Sequence, residues 1–289
     1  MPTNFSNSEL SKSTAEAFLR ADSTDAVRQI LNGRPEFGDC KNWKPYGDAE
    51  KNWDRVGVQT SEPVGALAEL IINAIDAILM RRAKEEKMGL RGEAVPQNMS
   101  EAVKRFFPEV QEGKLTLLGQ EQRTRLAEKS VLIGIRRKRK NDTCPNYTIV
   151  DFGEGQNHTD FKKTFLSLGE KNKEGIPFVQ GRFNMGSTGS ITFCTRAEIR
   201  SGMYKFILSK RNLEDSDGLW GWTLIRVRGA RKGEDLPVVE YFCPDGEIAH
   251  FEADEVRVFD RGDIGVIKKG GSVVKLYEYD IGPSARGID

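Results

Sequence analysis

Glu69-Leu70-Ile71-Ile72-Asn73-Ala74-Ile75-Asp76-Ala77 lies at the centre of the most apolar part of the chain, Val64 to Met80. On a helical wheel of about 100° per residue, Glu69, Asn73 and Asp76 fall within an arc of roughly 60°, because positions i, i+4 and i+7 share a face. Leu67, Leu70, Ile71, Ile75, Ile78 and Leu79 take most of the remaining circumference, and no Lys or Arg appears until Arg81. Pro63 sits in the first turn, where its missing N–H costs nothing, and the pattern predicts a helix to about Lys87. An amphipathic helix showing its solvent side is the plain reading. A solvated face, however, is usually wider and mixes in lysines, whereas this one is narrow, acidic and amide-bearing. A helix apolar nearly all round is buried, and a carboxylate buried with it needs a metal, a donor or a ligand. The stretch therefore predicts a polar slot facing a cavity.

Outward from this helix the chain changes character. Before it, residues 1–62 form a polar prelude in which Ser8 to Leu19 and Thr24 to Leu31 have helical spacing, followed by an irregular stretch from Phe37 to Asp54. After it, a charged region from Glu85 to Ser130 predicts helices over Met99 to Phe107 and Gln120 to Lys129. Val131 to Ile135 and Tyr147 to Val150 are β-rich and flank Lys140-Asn141-Asp142-Thr143, which is the turn chemistry of a hairpin. A Gly-dense stretch spans Asp151 to Gly189. Strands are predicted beyond it at Ala197 to Arg200, Tyr204 to Leu208, Trp220 to Val227, Val238 to Phe242, Glu255 to Phe259 and Val273 to Tyr279. Helices early and strands late, with few βαβ alternations, argue for an α+β layer sandwich. The expected organisation is an N-terminal helical extension (1–62), one main domain (63–282) and a C-terminal linker (283–289).

Composition narrows the function classes. With 38% hydrophobic and 30% charged residues, the 289-residue chain reads as globular with an ordinary core. The apolar run is broken by Glu69, Asn73 and Asp76 before it reaches the ~20 residues of a membrane span, and the N-terminus lacks the pattern of a signal peptide, so a cytoplasmic protein without membrane contact is expected. Four cysteines with no CxxC and two histidines argue against a zinc site and for reduced thiols. A net charge of +1 makes no whole-chain case for nucleic acid. The basic run Arg136 to Lys140 at the predicted hairpin tip reads as a solvated turn, with a DNA-contacting tip as the sharper alternative. Trp43, Trp53, Trp220 and Trp222 read as core or loop anchors and His158 as a loop residue.

Two glycine clusters remain. Asp151-Phe152-Gly153-Glu154-Gly155 follows a predicted strand, so an aspartate fixed at the strand end would point into the cavity while the glycines let backbone approach a ligand; an ordinary Asp-Gly turn is the alternative. Gly181-Arg182-Phe183-Asn184-Met185-Gly186-Ser187 leads towards the apolar Ile191 to Cys194. Free N–H groups at such a helix start would cradle phosphate, and a plain surface loop is the competing reading. Neither a P-loop nor a dinucleotide fingerprint is present.

Taken jointly, and in this order, the segments resemble the GHKL ATP-binding superfamily. Its signatures correspond to Glu69–Ala77 (Glu-x3-Asn-x2-Asp-Ala), to Asp151–Gly155, to the Gly-x4-Gly lid at Gly181–Gly186 and, more weakly, to Gly271-Ser272. The resemblance implies a Bergerat fold, in which helices cover one face of a mixed, mostly antiparallel sheet and nucleotide lies between helices and lid. It implies that Asn73 ligates Mg²⁺, that Glu69 is the general base for the attacking water, and that Asp151 accepts a hydrogen bond from the adenine amino group of ATP, with Ser272 supporting it. Asp76 and Ala77 would form the site's wall, and Gly153, Gly155 and Gly181 to Ser187 would surround the nucleotide. Glu69 favours the hydrolysing branch of gyrase, HtpG, MutL and MORC over histidine kinases. Lys171 and Lys173, in a Ser-x-Gly segment of the lid, would come within reach of phosphate if they turn inward; solvated loop lysines are the competing and commoner reading.

Asn184 and Met185 depart from the lid pattern, and the interval from Asn73 to Asp151 is long. Hydrolysing relatives also draw a phosphate-contacting lysine from a further domain or partner, which implies slow turnover for this chain alone. An ATP-dependent homodimer involving residues 1–62 is expected. The alternatives are a non-hydrolysing nucleotide sensor and a DNA-associated module of MORC or MutL type.

Overall fold

In the computed structural model the described residues are 8–57, 62–137, 144–168, 173–181, 186–194, 203–230, 236–260 and 264–281. The β-branched and aromatic runs form strands β1 (Trp43–Pro45), β2 (Val131–Arg136), β3 (Asn146–Asp151), β4 (Tyr204–Lys210), β5 (Leu219–Arg228), β6 (Val238–Phe242), β7 (Ala249–Glu252), β8 (Val256–Arg257), β9 (Val266–Ile267) and β10 (Gly271–Leu276). Eight of them make one sheet in the order β1-β6-β5-β4-β10-β3-β2, with β7 also on β5, while β8 and β9 pair separately. Every pairing among the described residues is antiparallel. The helices are α1 (Ser8–Arg20), α2 (Thr24–Asn32), α3 (Trp53–Gly57), α4 (Pro63–Glu85), α5 (Met99–Phe106), α6 (Gln120–Ala127) and α7 (Gly186–Gly189). The architecture is an α+β sandwich.

Helices cover both faces of the sheet, not one. Along β4, Tyr204, Phe206 and Leu208 pack with Ala15, Phe18 and Leu19 of α1, whereas Ile207 turns to the opposite side and packs with Leu70 and Ala74 of α4. The reason is in the strands themselves. A sheet with one wet face alternates apolar and polar residues, but β3 and β6 are buried at every position. Both faces therefore need a cover. The segment expected as an N-terminal extension supplies the second one.

That segment is woven into the sheet. β1 pairs with β6, and fully buried Asn52 donates from Nδ2 to the Val239 carbonyl (2.7 Å) and accepts from Val239 N (2.9 Å). Trp222 Nε1 donates to Ser11 Oγ at 2.8 Å. At the end of α1, the buried Lys275 ammonium donates to the carbonyls of Leu19 and Ala21, each at 2.5 Å, which are among the groups a helix terminus leaves without partners. Burial pulls the Lys275 amine down to about 7.

The charged interval after α4 has a structural task. Ala102 and Phe106 of α5, with Phe107, Val110 and Leu118, pack against Ile78, Leu79, Met80 and Ala83 on the second half of α4. The same cluster takes in Ile176, Phe178 and Val179, so it anchors the segment leading to Gly181.

Several elements differ from expectation. The last strand ends at Leu276 instead of Tyr279, Glu255 to Phe259 contracts to β8, and β1, β7 and β9 were not predicted, being too short to show periodicity. The strand expected at Ala197 to Arg200 and most of the basic hairpin tip lie outside the described residues. By length and composition alone, α4 is apolar enough to cross a membrane, contrary to the expectation from its polar interruptions; a buried core helix passes the same test.

Candidate functional site

β3 ends on Asp151 and β10 begins with Gly271-Ser272. The register sets Ser272 opposite Asp151 on one side and Ser209 of β4 on the other. Successive strand residues point to opposite faces, so these three polar side chains form a row beneath α4. Ser209 Oγ lies 3.0 Å from Ser272 Oγ and donates to the Gly271 carbonyl at 2.9 Å. Asp151 Oδ1 accepts from Gly153 N at 2.9 Å, and the carboxylate also takes a hydrogen bond from the Ser272 hydroxyl. Burial still dominates and pushes the Asp151 carboxyl up to about 7, with nearby Glu154 adding to the rise and Lys173 opposing it.

The loop after Asp151 is fitted to α4. A Cβ on Gly153 would come within 2.6 Å of Ala77 Cβ and 2.7 Å of Asp151 Oδ1, so a side chain there is excluded. Gly155 has a φ of +60°, and a Cβ would collide with the Lys210 carbonyl. Between them, Glu154 N donates to the Ala77 carbonyl at 3.2 Å. The buried Glu154 carboxylate is held by Lys84 of α4 at 2.5 Å and by Arg211 at 3.4 Å.

Midway along α4, Asp76 is fully buried and satisfied by three donors. Its Oδ1 accepts from Gln180 N (3.0 Å), and its Oδ2 from Gly181 N (2.9 Å) and Lys173 Nζ (3.1 Å). Asn73 Oδ1 accepts from the same Lys173 Nζ at 2.8 Å. Gly181 lies so close that a Cβ would stand 2.6 Å from Asn73 Oδ1. Between α4 and the sheet is a cavity of about 220 Å³, whose lining includes Asn73, Ala77, Asp151, Lys173, Lys205 and Ser272.

Asn73, Asp76, Ala77, Asp151, Gly153, Gly155, Gly181 and Ser272, far apart in sequence, are thus gathered around one cavity or its wall. Glu69 is not among the lining residues. It is half-buried one turn nearer the N-terminus of α4, and it makes no hydrogen bond to a described residue. Arg182, Phe183, Asn184 and Met185, with Lys171, lie outside the described residues. Gly186 and Ser187 begin α7, a single α-turn that runs directly into a 3-10 turn over Ser190–Phe193.

Lys205 and Glu154 were not singled out from sequence. Lys205 is buried at the cavity floor with Nζ 3.2 Å from Ser190 Oγ, and burial lowers it to about 8. The signal was a lone charge inside the strand Tyr204-Lys205-Phe206-Ile207-Leu208. His158 is more than a loop residue. Its ring lies 4.2 Å from that of His250, the other histidine of the chain, and its Nδ1 is 2.8 Å from Asp217 Oδ2.

The Mg²⁺ expected at Asn73 can be tested against these atoms. Such an ion wants near-octahedral oxygen ligation at short range. Asn73 Oδ1 is the right kind of atom, but it holds an ammonium, and the Asp76 oxygens are already committed to three N–H donors. No cluster of three or more His, Cys, Asp or Glu suited to a metal occurs among the described residues. As arranged, the donor set does not fit a divalent ion. The chain matches no known protein-family model and no curated protein.

Proposed function

We propose that the cavity beneath α4 binds ATP and that the chain is a slow ATPase of the GHKL type it resembles. The reading rests on one observation: Asn73, Asp151 and Ser272, from three distant segments, line a single cavity, and Gly181 from a fourth packs against Asn73. At about 220 Å³ the cavity is smaller than the ~300–1,000 Å³ of common ligand pockets. It suits the nucleoside end, with the phosphates running out past Asn73 towards Gly186.

Asp151 would accept from the adenine amino group. Guanine offers a carbonyl there, which would set acceptor against acceptor and leave buried groups unpaired, so ATP is selected over GTP. Lys173 and Lys205 bring positive charge to the same cavity, as an anionic ligand requires. Glu69, one turn and ~6 Å along the helix from Asn73, would orient and deprotonate the attacking water beyond the cavity mouth.

Phosphate release from ATP in Mg²⁺ buffer by the wild type and by Glu69→Ala tests the chemistry. We expect slow release by the wild type and a loss of about 100-fold or more in the variant, with ATP affinity retained. Release that does not depend on Glu69 would remove its assignment as base. The position of Glu69 outside the lining favours a second reading, a nucleotide sensor, which binding without any release would support.

A further inference from the structure

The disagreement between the Asn73 site and a divalent ion carries a further step. Lys173 Nζ has three protons. Asn73 Oδ1 takes one at 2.8 Å and Asp76 Oδ2 a second at 3.1 Å. The third remains for whatever enters the cavity, which Lys173 lines together with Asn73.

The placement is built rather than incidental. Arg91 donates from Nε and Nη2 to the carbonyl of Glu174, the next residue, at 3.0 and 2.8 Å. Ile176, Phe178 and Val179 are buried in the cluster formed by α4 and α5, and Gln180 N and Gly181 N close onto Asp76. Residues 173–181 are thus pinned from Arg91 to Asp76. The Lys173 side chain is only 16% exposed and that of Asp76 0%, so this ion pair is shielded from water far more than a surface pair.

We propose that Lys173 is the resident cation of the site: it occupies Asn73 in place of a divalent metal and gives its remaining N–H to the nucleotide's phosphates, so that nucleotide binds without Mg²⁺. The proposal rests on the ATP reading and narrows it. Phosphate neutralisation at the binding step comes from the chain's own ammonium, held by Asn73 and Asp76. Hydrolysis is a separate matter, since Mg²⁺ can still accompany the outer phosphates in solution.

Titration calorimetry of the full chain with ATP, once in Mg²⁺ and once in excess EDTA, tests it without any variant. The expected wild-type dissociation constants agree within about threefold. Lys173→Met should weaken binding in EDTA by about tenfold or more and recover part of that loss when Mg²⁺ is supplied to the vacated Asn73. Thermal unfolding of the variant confirms that it is folded. Wild-type binding that requires Mg²⁺ overturns the proposal. So does equal or tighter ATP binding by Lys173→Met in EDTA, because the lysine would then be a plug rather than a ligand. Either result leaves ATP binding itself standing. If the folded wild type and variant both bind no ATP in either medium, the nucleotide reading falls and this proposal with it.

Discussion

Asp151→Asn perturbs the site and the fold in opposite directions, and both effects can be worked from one carboxyl. Burial raises Asp151 from 3.8 to about 7, so between those values the folded protein keeps a proton that the unfolded chain has released. The group's contribution to stability is therefore largest at low pH and falls as pH rises through that window. From pH 5 to pH 8 the loss is ~2.5 kcal/mol, taking about 1.36 kcal/mol per unit and both titrations into account. Asparagine keeps an oxygen for Gly153 N and has no charge to bury. Urea denaturation at stepped pH, followed by tryptophan fluorescence, should show the wild type weakening relative to the variant as pH rises, with the variant the more stable at pH 8. Parallel curves for the two proteins would refute the reasoning, because Asp151 would then titrate alike in the folded and unfolded states. Binding should move the other way: an amide offers adenine a donor where the amino group needs an acceptor, so the more stable variant should lose ATP. Micromolar ATP affinity retained by Asp151→Asn would sink the assignment of the adenine contact.

Two other predictions concern the N-terminal segment. Phe18 is fully buried, with ring centroids 5.5 Å from Phe206 and 5.8 Å from Trp222, so Phe18→Ala should cost about 3–5 kcal/mol in urea denaturation; a loss under about 1 kcal/mol would mean that α1 is not part of the core. For assembly, we propose that a non-hydrolysable ATP analogue raises the mass read by light scattering from monomer to dimer, and an unchanged mass with the analogue at saturating concentration counts against it.

Elements with long periodicity were legible in the sequence, and those defined by a partner were not. α4 declared itself through its apolar circumference; of its narrow polar arc, Asn73 lines the cavity, Asp76 is buried against Gln180 and Gly181 beside it, and Glu69 lies outside the lining. β4, β5, β6 and the β2–β3 hairpin were readable because these strands are five residues or longer and carry β-rich runs through most of their length. β1, β7 and β9 have two to four residues each and exist only because a neighbour offers its free edge. The second helical layer was missed for a related reason. Residues such as Phe206 and Ile207 are adjacent in sequence and equally apolar, and only the pleat sends them to different faces. The grip of Lys173 on Asn73 was illegible too, since it depends on a hundred intervening residues folding so that α5 can brace the segment 173–181.

The alternation of β10 joins these parts. Ser272, Val274 and Leu276 face the cavity side, where Ser272 bonds Asp151 and Val274 lines the floor. Val273, Lys275 and Tyr277 face α1, where Lys275 caps the helix end and the Tyr277 hydroxyl donates to the Phe18 carbonyl at 2.6 Å. A strand cannot shift along its axis on one face alone, because a one-residue slip turns every side chain over. The contacts that hold α1 therefore also fix the register that sets Ser272 opposite Asp151. On the far side of the cavity, Glu154 bound by Lys84 and Arg211 ties the same loop to the end of α4. The polar row is clamped from below by the N-terminal helix and from above by the helix that carries Asn73. That double constraint lets a carboxyl remain buried with only a glycine N–H and a serine hydroxyl to satisfy it, and a carboxyl in that condition has most to gain from a ligand that brings it a donor.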